Sequence, residues 1–467
     1  MKSTVTSSPP GSQQAPLALS ILLLAALSVA SAQAGLFSSS LLTGDADSGI
    51  SAGTAYTHAI NLNEYRGNFS INGAVFTESG GLFGPVTNPA TNNYSTTGMG
   101  NDYGGNTTPI TGAVAELFTN FLYNGNPETL TLNNLRVGQQ YVSTFYNAAF
   151  GGPGGRVTDV STSDGGFITY DQNSTPGSLL KYAFTATSTT QTYSFLPQAP
   201  GDTWHQYAFS NEMVGYTALL TDNFYAPSNP DTNDVNFNLA ARQGGSLVAL
   251  GGPITYTPAG NTQVGNGTGG IDNGNYLLSA FSGNSAINHN FNGVDSAGGL
   301  SIAFDFAPNS VGNGDTTVWE SINLGFASGD RNGGVNSGAS HFGILFRGNG
   351  DIQAFDGGSV VSGAETWGAG ATNQLHHIEL LATDPTDQNP FDGVGQTDIA
   401  VYADGSLIYS YSKGGGGYAD NFMNFQAAFI GAADNLVIAQ AVVPEPGAVF
   451  SMLGGLGMLL GLRRRRA

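Results

Sequence analysis

Apolar and polar residues alternate in short stretches along most of this chain, with turn residues between them. Leu300-Ser-Ile-Ala-Phe-Asp-Phe306 places Leu300, Ile302, Phe304 and Phe306 at a period of two, which sets side chains on one face of a strand. Between Glu128 and Asn147, Leu130 and Leu132 and then Tyr141 and Phe145 alternate around a Val137-Gly138 turn. Further strands are predicted at Gly166–Tyr170, Leu179–Thr187, Gln191–Leu196 and His205–Ser210. Two hairpins are marked by their turns. Phe342–Phe346 and Asp351–Phe355 flank Asn349-Gly350, and Asp398–Ser412 folds back at Asp404-Gly405. An Asx-Gly pair supplies the positive φ angles that a tight hairpin turn needs. Short strands at this spacing predict an all-β fold of two tandem β-sandwich, jelly-roll-like domains.

The two ends break the alternation. After Lys2, Leu17 to Ala30 is apolar apart from Ser20 and Ser28, and Ala32-Gln33-Ala34 has the small-x-small form of a signal-peptide cleavage site. Gly35 is then the expected mature start, with a cut after Ala32, in Ala30-Ser31-Ala32, as the alternative. At the other end Pro444-Glu445-Pro446 precedes an uncharged run, Ala448 to Leu462, and the cluster Arg463, Arg464, Arg465 and Arg466. As a helix the 15-residue run spans roughly 22 Å. Counting from Val443 gives 20 residues, enough to approach a hydrocarbon core of ~30 Å. Four arginines after a span stay on the cytoplasmic side, so the rest of the chain is expected outside.

The predicted organisation is a signal peptide over 1–34, a sandwich over 35–226, a Pro/Asn/Asp-rich linker over 227–235, a second sandwich over 236–440, and a C-terminal segment with a short transmembrane helix over 441–467.

Composition narrows the function classes. Glycine supplies 68 of 467 residues, and only 10% of the chain is charged while 40% is hydrophobic, which is too apolar for disorder. The net charge is −20, and five of the 13 basic residues lie at the two ends, so nucleic acid is excluded as a partner. The absence of cysteine excludes disulfides, thiolate catalysis and cysteine zinc sites.

Catalytic patterns are missing from the text. Glycosidases need two carboxylates across a glycosidic bond, yet Glu320, Glu365 and Glu379 each stand alone. His376 and His377 are adjacent and on a strand face opposite ways, so they cannot chelate one ion together. Gly265-Asn-Gly267-Thr-Gly-Gly270 lacks a following helix and reads as a loop rather than a dinucleotide fingerprint. For sugar stacking the candidates are Trp367, in the Gly-rich stretch 363–370, and Trp204, against a reading of each as core. No cofactor is required by any motif. Ca²⁺ is the one the composition leaves open, with Asp392 and Asp404 as candidate oxygen ligands. They flank a predicted strand over 396–403 and are roughly 23 Å apart, so each would need other partners.

The order Pro444-Glu445-Pro446, apolar run and Arg463–Arg466 resembles the PEP-CTERM sorting signal of Gram-negative bacteria. That resemblance implies an exosortase-type sorting protease as partner, transient insertion in the inner membrane, C-terminal processing, and delivery to the cell surface, outer envelope or extracellular matrix. The phrases His377-Ile-Glu-Leu-Leu, Asp398–Ser412 and Asp434-Asn-Leu-Val-Ile resemble laminin-G/concanavalin-like jelly rolls, and Leu130–Tyr141 with Trp204–Ala208 resembles galactose-binding-like sandwiches. The expectation is an exported non-enzymatic surface or matrix protein associated with exopolysaccharide. A lectin-like carbohydrate-binding protein and a polysaccharide hydrolase are the alternatives.

Overall fold

A computed structural model of the chain describes residues 34–62, 68–78, 93–105, 110–222, 255–259, 262–266, 275–279, 283–288, 299–307, 319–326, 335, 341–347, 351–361, 365–366, 376–385, 390–418, 422–428 and 431–441. Gly35–Ala467 forms one compact unit. The expected linker 227–235, residues 1–33 of the expected signal peptide and residues 442–467 of the expected C-terminal sorting segment lie outside the described residues. Among the described residues no helix is long and apolar enough to cross a membrane.

The fold is all-β. One 14-stranded sheet has a main path of Leu36–Leu41, Gly177–Thr185, Gln140–Ala148, Ala208–Asp222, Gly431–Ala441, Leu300–Ala307, His376–Thr383, Thr397–Ala403 and Ser406–Lys413. A five-stranded sheet that includes Glu128–Leu132, Val157–Thr162 and Gln191–Pro197 covers one part of it. An eight-stranded sheet that includes Trp319–Phe326, Phe342–Arg347 and Asp351–Asp356 covers another. Leu130, Tyr193 and Phe195 meet Phe145, Leu180 and Phe209 in the first core. Ile322, Ile344 and Ile352 meet Ile302, Leu380 and Ile438 in the second. The molecule is therefore two sandwiches that share one sheet.

Sharing runs through the 15-residue strand Ala208–Asp222. Its first part pairs with Gln140–Ala148 (Phe209 opposite Phe145) and its last part with Gly431–Ala441 (Thr221 opposite Val437). Thr217 pairs with Thr54 on one edge and Gln440 on the other. The cores interlock as well: Leu219 and Leu220 of this strand pack in the second core, and Ala439 of Gly431–Ala441 packs in the first.

The alternation read in the sequence sets the buried faces. Leu300, Ile302 and Phe304 are buried, and Thr397–Ala403 is buried at every second residue. The strands of both predicted hairpins pair, with Phe346 opposite Ile352 and Ala403 opposite Ser406. Asp404 (φ 50°) and Gly405 (φ 77°) make the second turn. A Cβ at Gly405 would sit 2.3 Å from the Leu135 carbonyl oxygen, so this hairpin tip of the second sandwich abuts the first. The strands on either side of Val137-Gly138 differ from a simple hairpin. Glu128–Leu132 and Gln140–Ala148 lie in opposite sheets, so the chain crosses the sandwich there rather than turning within one sheet.

Candidate functional site

The seam between the sandwiches encloses a cleft of about 130 Å³. One wall is the strand Thr54–Asn61, with Ala74 and Val75 beside it; the other comes from Ser301, Ala303, His377, Glu379 and Val437, with Asn93 and Asn134 from loops between. One water needs about 10–15 Å³ of such volume, so the cleft is well above the size that a single water requires.

Strand alternation explains why polar groups collect here. In Leu300–Ala307 the even positions Ile302 and Phe304 turn into the second core, which leaves Ser301, Ala303 and Asp305 on the other face. In His376–Thr383, Ile378 and Leu380 are core, while His377 and Glu379 share the face with Asp305 and Ser301. Asp305 is opposite His377 in the ladder.

Two networks follow. Asp305, 0% exposed, accepts from His377 Nδ1 at 2.8 Å on Oδ1, and from Asn435 Nδ2 at 2.8 Å and Asn93 Nδ2 at 3.4 Å on Oδ2. Asn93 Oδ1 accepts from Asn134 Nδ2 at 2.7 Å, and its carbonyl accepts from His58 Nε2 at 2.8 Å. The second network centres on Arg136. Its Nη1 donates to Glu379 Oε1 at 2.5 Å, and its Nη2 to Gln139 Oε1 at 2.7 Å and to the Tyr216 hydroxyl at 3.0 Å. Ser301 Oγ donates to the same Glu379 oxygen at 2.6 Å, and the Arg136 amide donates to the Tyr141 hydroxyl at 3.0 Å.

Protonation follows from these partners. Burial, with His377 nearby, pushes the His58 imidazole down to about 4 despite its bond to Asn93. Since the Asn93 carbonyl only accepts, Nε2 carries the proton of the neutral ring, and Nδ1 faces the Thr57 hydroxyl at 3.0 Å. Burial also works to lower His377, but the Asp305 carboxylate outweighs it and the net shift is upward. With Nδ1 held by Asp305, Nε2 is the His377 nitrogen left to meet a ligand. Burial works against the charge on Arg136, and Glu379 more than restores it, so its pKa is raised.

The residues singled out in the sequence fall elsewhere. Trp204 is fully buried in the first core. Its ring stacks on Phe195 at 4.6 Å and its Nε1 donates to Gln206 Oε1 at 2.6 Å, so neither face is open to a sugar and the stacking expectation is corrected to a core role. Both carboxylate oxygens of Asp404 are engaged, Oδ2 with His376 Nδ1 at 2.8 Å and Oδ1 with the His377 amide at 2.9 Å. Asp392 is exposed and accepts from the Val394 amide at 2.8 Å, closing its own loop. Among the described residues no group of three or more His, Cys, Asp or Glu comes together as a metal site. Trp367 and the sorting residues Pro444, Glu445, Pro446 and Arg463–Arg466 lie outside the described residues.

The site was missed because its members are far apart in sequence; Arg136 and Glu379 are 243 residues apart. A signal was present nonetheless. Arg136 between Leu135 and Val137, and Asp305 between Phe304 and Phe306, are charges inside apolar stretches of a chain with few charges.

No protein-family model matches the chain, and no curated protein matches it. Solved structures similar to it include the carbohydrate-binding module CBM66 from Bacillus subtilis, at 11% identity and TM-score 0.26 over 39% of this chain and 94% of that one. The metal-free carbohydrate recognition domain of Emp46p matches at 11% identity and TM-score 0.30, over 40% of this chain and 89% of that one. A Bacillus subtilis protein with a galectin-like fold matches at 13% and 0.29, over 40% and 90%. At such identities and scores these are likenesses of β architecture alone.

Proposed function

We propose that this protein is an exported, non-enzymatic component of the cell surface or extracellular matrix, and that its seam cleft holds a residue of a neutral carbohydrate. The observation that carries the binding role is the makeup of the cleft wall. Thr54, Thr77 and His377 line it with polar groups that can meet a hydroxyl-rich ligand, beside apolar Ala59, Ala303 and Val437 for the C–H face of a ring. The acidic groups argue against hydrolysis. Asp305 and Glu379 are committed to His377, Asn435, Arg136 and Ser301, so neither is a free acid or nucleophile for a glycosidic bond.

Export rests on the two termini: an apolar leader ending at Ala32-Gln33-Ala34, and the Pro444-Glu445-Pro446, apolar run and arginine order that an exosortase-type system would read. Exopolysaccharide of the producing cell is the natural ligand class for such a protein. Calorimetric titration of the full exported chain with that polysaccharide tests the binding role. Ala303→Phe, which fills the cleft without removing a hydrogen bond, should weaken binding at least about tenfold; unchanged binding would sink the assignment of this cleft.

A further inference from the structure

We infer that Asp164 and Tyr182 form a receiving site for the α-ammonium of Gly35, created when the Ala34–Gly35 bond is hydrolysed. The inference rests on the export reading above and adds to it what the new chain end does. The Gly35 nitrogen lies 2.8 Å from the Tyr182 hydroxyl and 3.3 Å from Asp164 Oδ2. The site is built, because Asp164 Oδ1 accepts from Thr162 Oγ1 at 2.5 Å, Tyr182 OH at 2.7 Å and Gln191 Nε2 at 3.0 Å. Those three bonds fix the carboxylate and turn its other oxygen toward Gly35.

A second observation concerns the fit at position 35. A Cβ there would stand 2.4 Å from the Ala183 carbonyl oxygen and 2.6 Å from Tyr182 Cζ, far inside contact distance. Only glycine brings its nitrogen this close to both acceptors. Register holds it there: Leu36 pairs with Ala183 at the first position of the strand Leu36–Leu41, and the compact unit starts at Gly35.

Donor number favours the cut chain. A peptide nitrogen has one hydrogen for two acceptors, whereas an ammonium has three and a full charge to set against Asp164. Hydrolysis adds the water hydroxyl to the Ala34 carbonyl carbon and the proton to the Gly35 nitrogen, which takes a further proton from solvent. Cleavage after Ala32 would place the amine on Gln33, two residues or roughly 7 Å of extended chain from the site.

N-terminal sequencing of the full exported chain comes first and should read Gly35. An amine-selective ester at neutral pH then labels the α-amine, followed by mass spectrometry of the N-terminal peptide. The wild-type amine should react about tenfold more slowly than that of Asp164→Asn. Wild type should also melt about 1–3 °C above a chain that retains Ala34, a shift expected of one partly buried ion pair in a large protein. This second comparison stands even if Asp164→Asn does not fold. A start at Gly35 with equal labelling and equal melting would overturn the receiving site and leave export intact. A start at Gln33 would do the same, and a chain that keeps residues 1–34 would remove both.

Discussion

Arg136 and Glu379 meet at 2.5 Å across the seam, with side chains 6% and 9% exposed. Each comes from a different sandwich, and each is held by further groups of its own side, Gln139 and Tyr216 for the arginine and Ser301 for the glutamate. A charge pair this dry is sensitive to losing one member, since the survivor is left unpaired in a low-dielectric setting.

Arg136→Ala should therefore lower unfolding stability by about 3–5 kcal/mol, whereas the double change Arg136→Met with Glu379→Leu should lose much less. Urea denaturation of the single and double variants checks this. Equal losses in the two would mean that the pair's charges are not what the seam depends on.

Acid should act through His58. Its folded-state pKa, about 4, is below the unfolded value of about 6.5, so the unfolded chain takes up the proton first as pH falls. Stability is thus full above pH 6.5 and declines down to pH 4, by about 3 kcal/mol for this group. His58→Gln should flatten the difference in urea midpoint between pH 7.5 and pH 5. His377 has the opposite sign, because its pKa is raised: what it adds is present below pH 6.5 and is lost as pH rises through its folded value.

Trp204→Ala should cost about 3–5 kcal/mol through the cavity left between Phe195 and Tyr170, with carbohydrate affinity per folded molecule unchanged. Thermal melts and titrations on the same preparation separate the two. A loss of affinity without loss of stability would return Trp204 to a ligand-contact role.

The proposed C-terminal sorting signal predicts a mass. Protein recovered from the cell surface should lack Arg463–Arg466 and the apolar run before them. Intact mass spectrometry decides it, and a chain that keeps the final 20 residues would be held by a plain membrane anchor instead.

Much of the fold is legible because strands announce themselves locally. A period of two put Leu300, Ile302 and Phe304 inward, and Asp404-Gly405 named its own turn through the φ angles both residues tolerate. What is not legible depends on partners distant in sequence. Trp204 lies outside any regular strand, so no period says which way it faces, and only Phe195 and Tyr170 closing over it make it core. Nothing local distinguishes a turn within one sheet from a crossing between two, which is why Val137-Gly138 reads alike in both cases. The cleft is hardest of all. Its acidic members are single letters in separate strands, and their meaning appears only when Ala208–Asp222 and Gly431–Ala441 bring the two sandwiches side by side.

That shared pairing also sets a schedule. The stretch Tyr216–Asp222 is synthesised some two hundred residues before its partner strand Leu436–Ala441, so until that strand is made it offers an open row of amides and carbonyls. Contacts between such remote segments form slowly. Until the final strand arrives the first sandwich is a half-zipped garment, exposed to any other strand that passes. Truncation just before residue 431 should therefore yield aggregates rather than a stable N-terminal half.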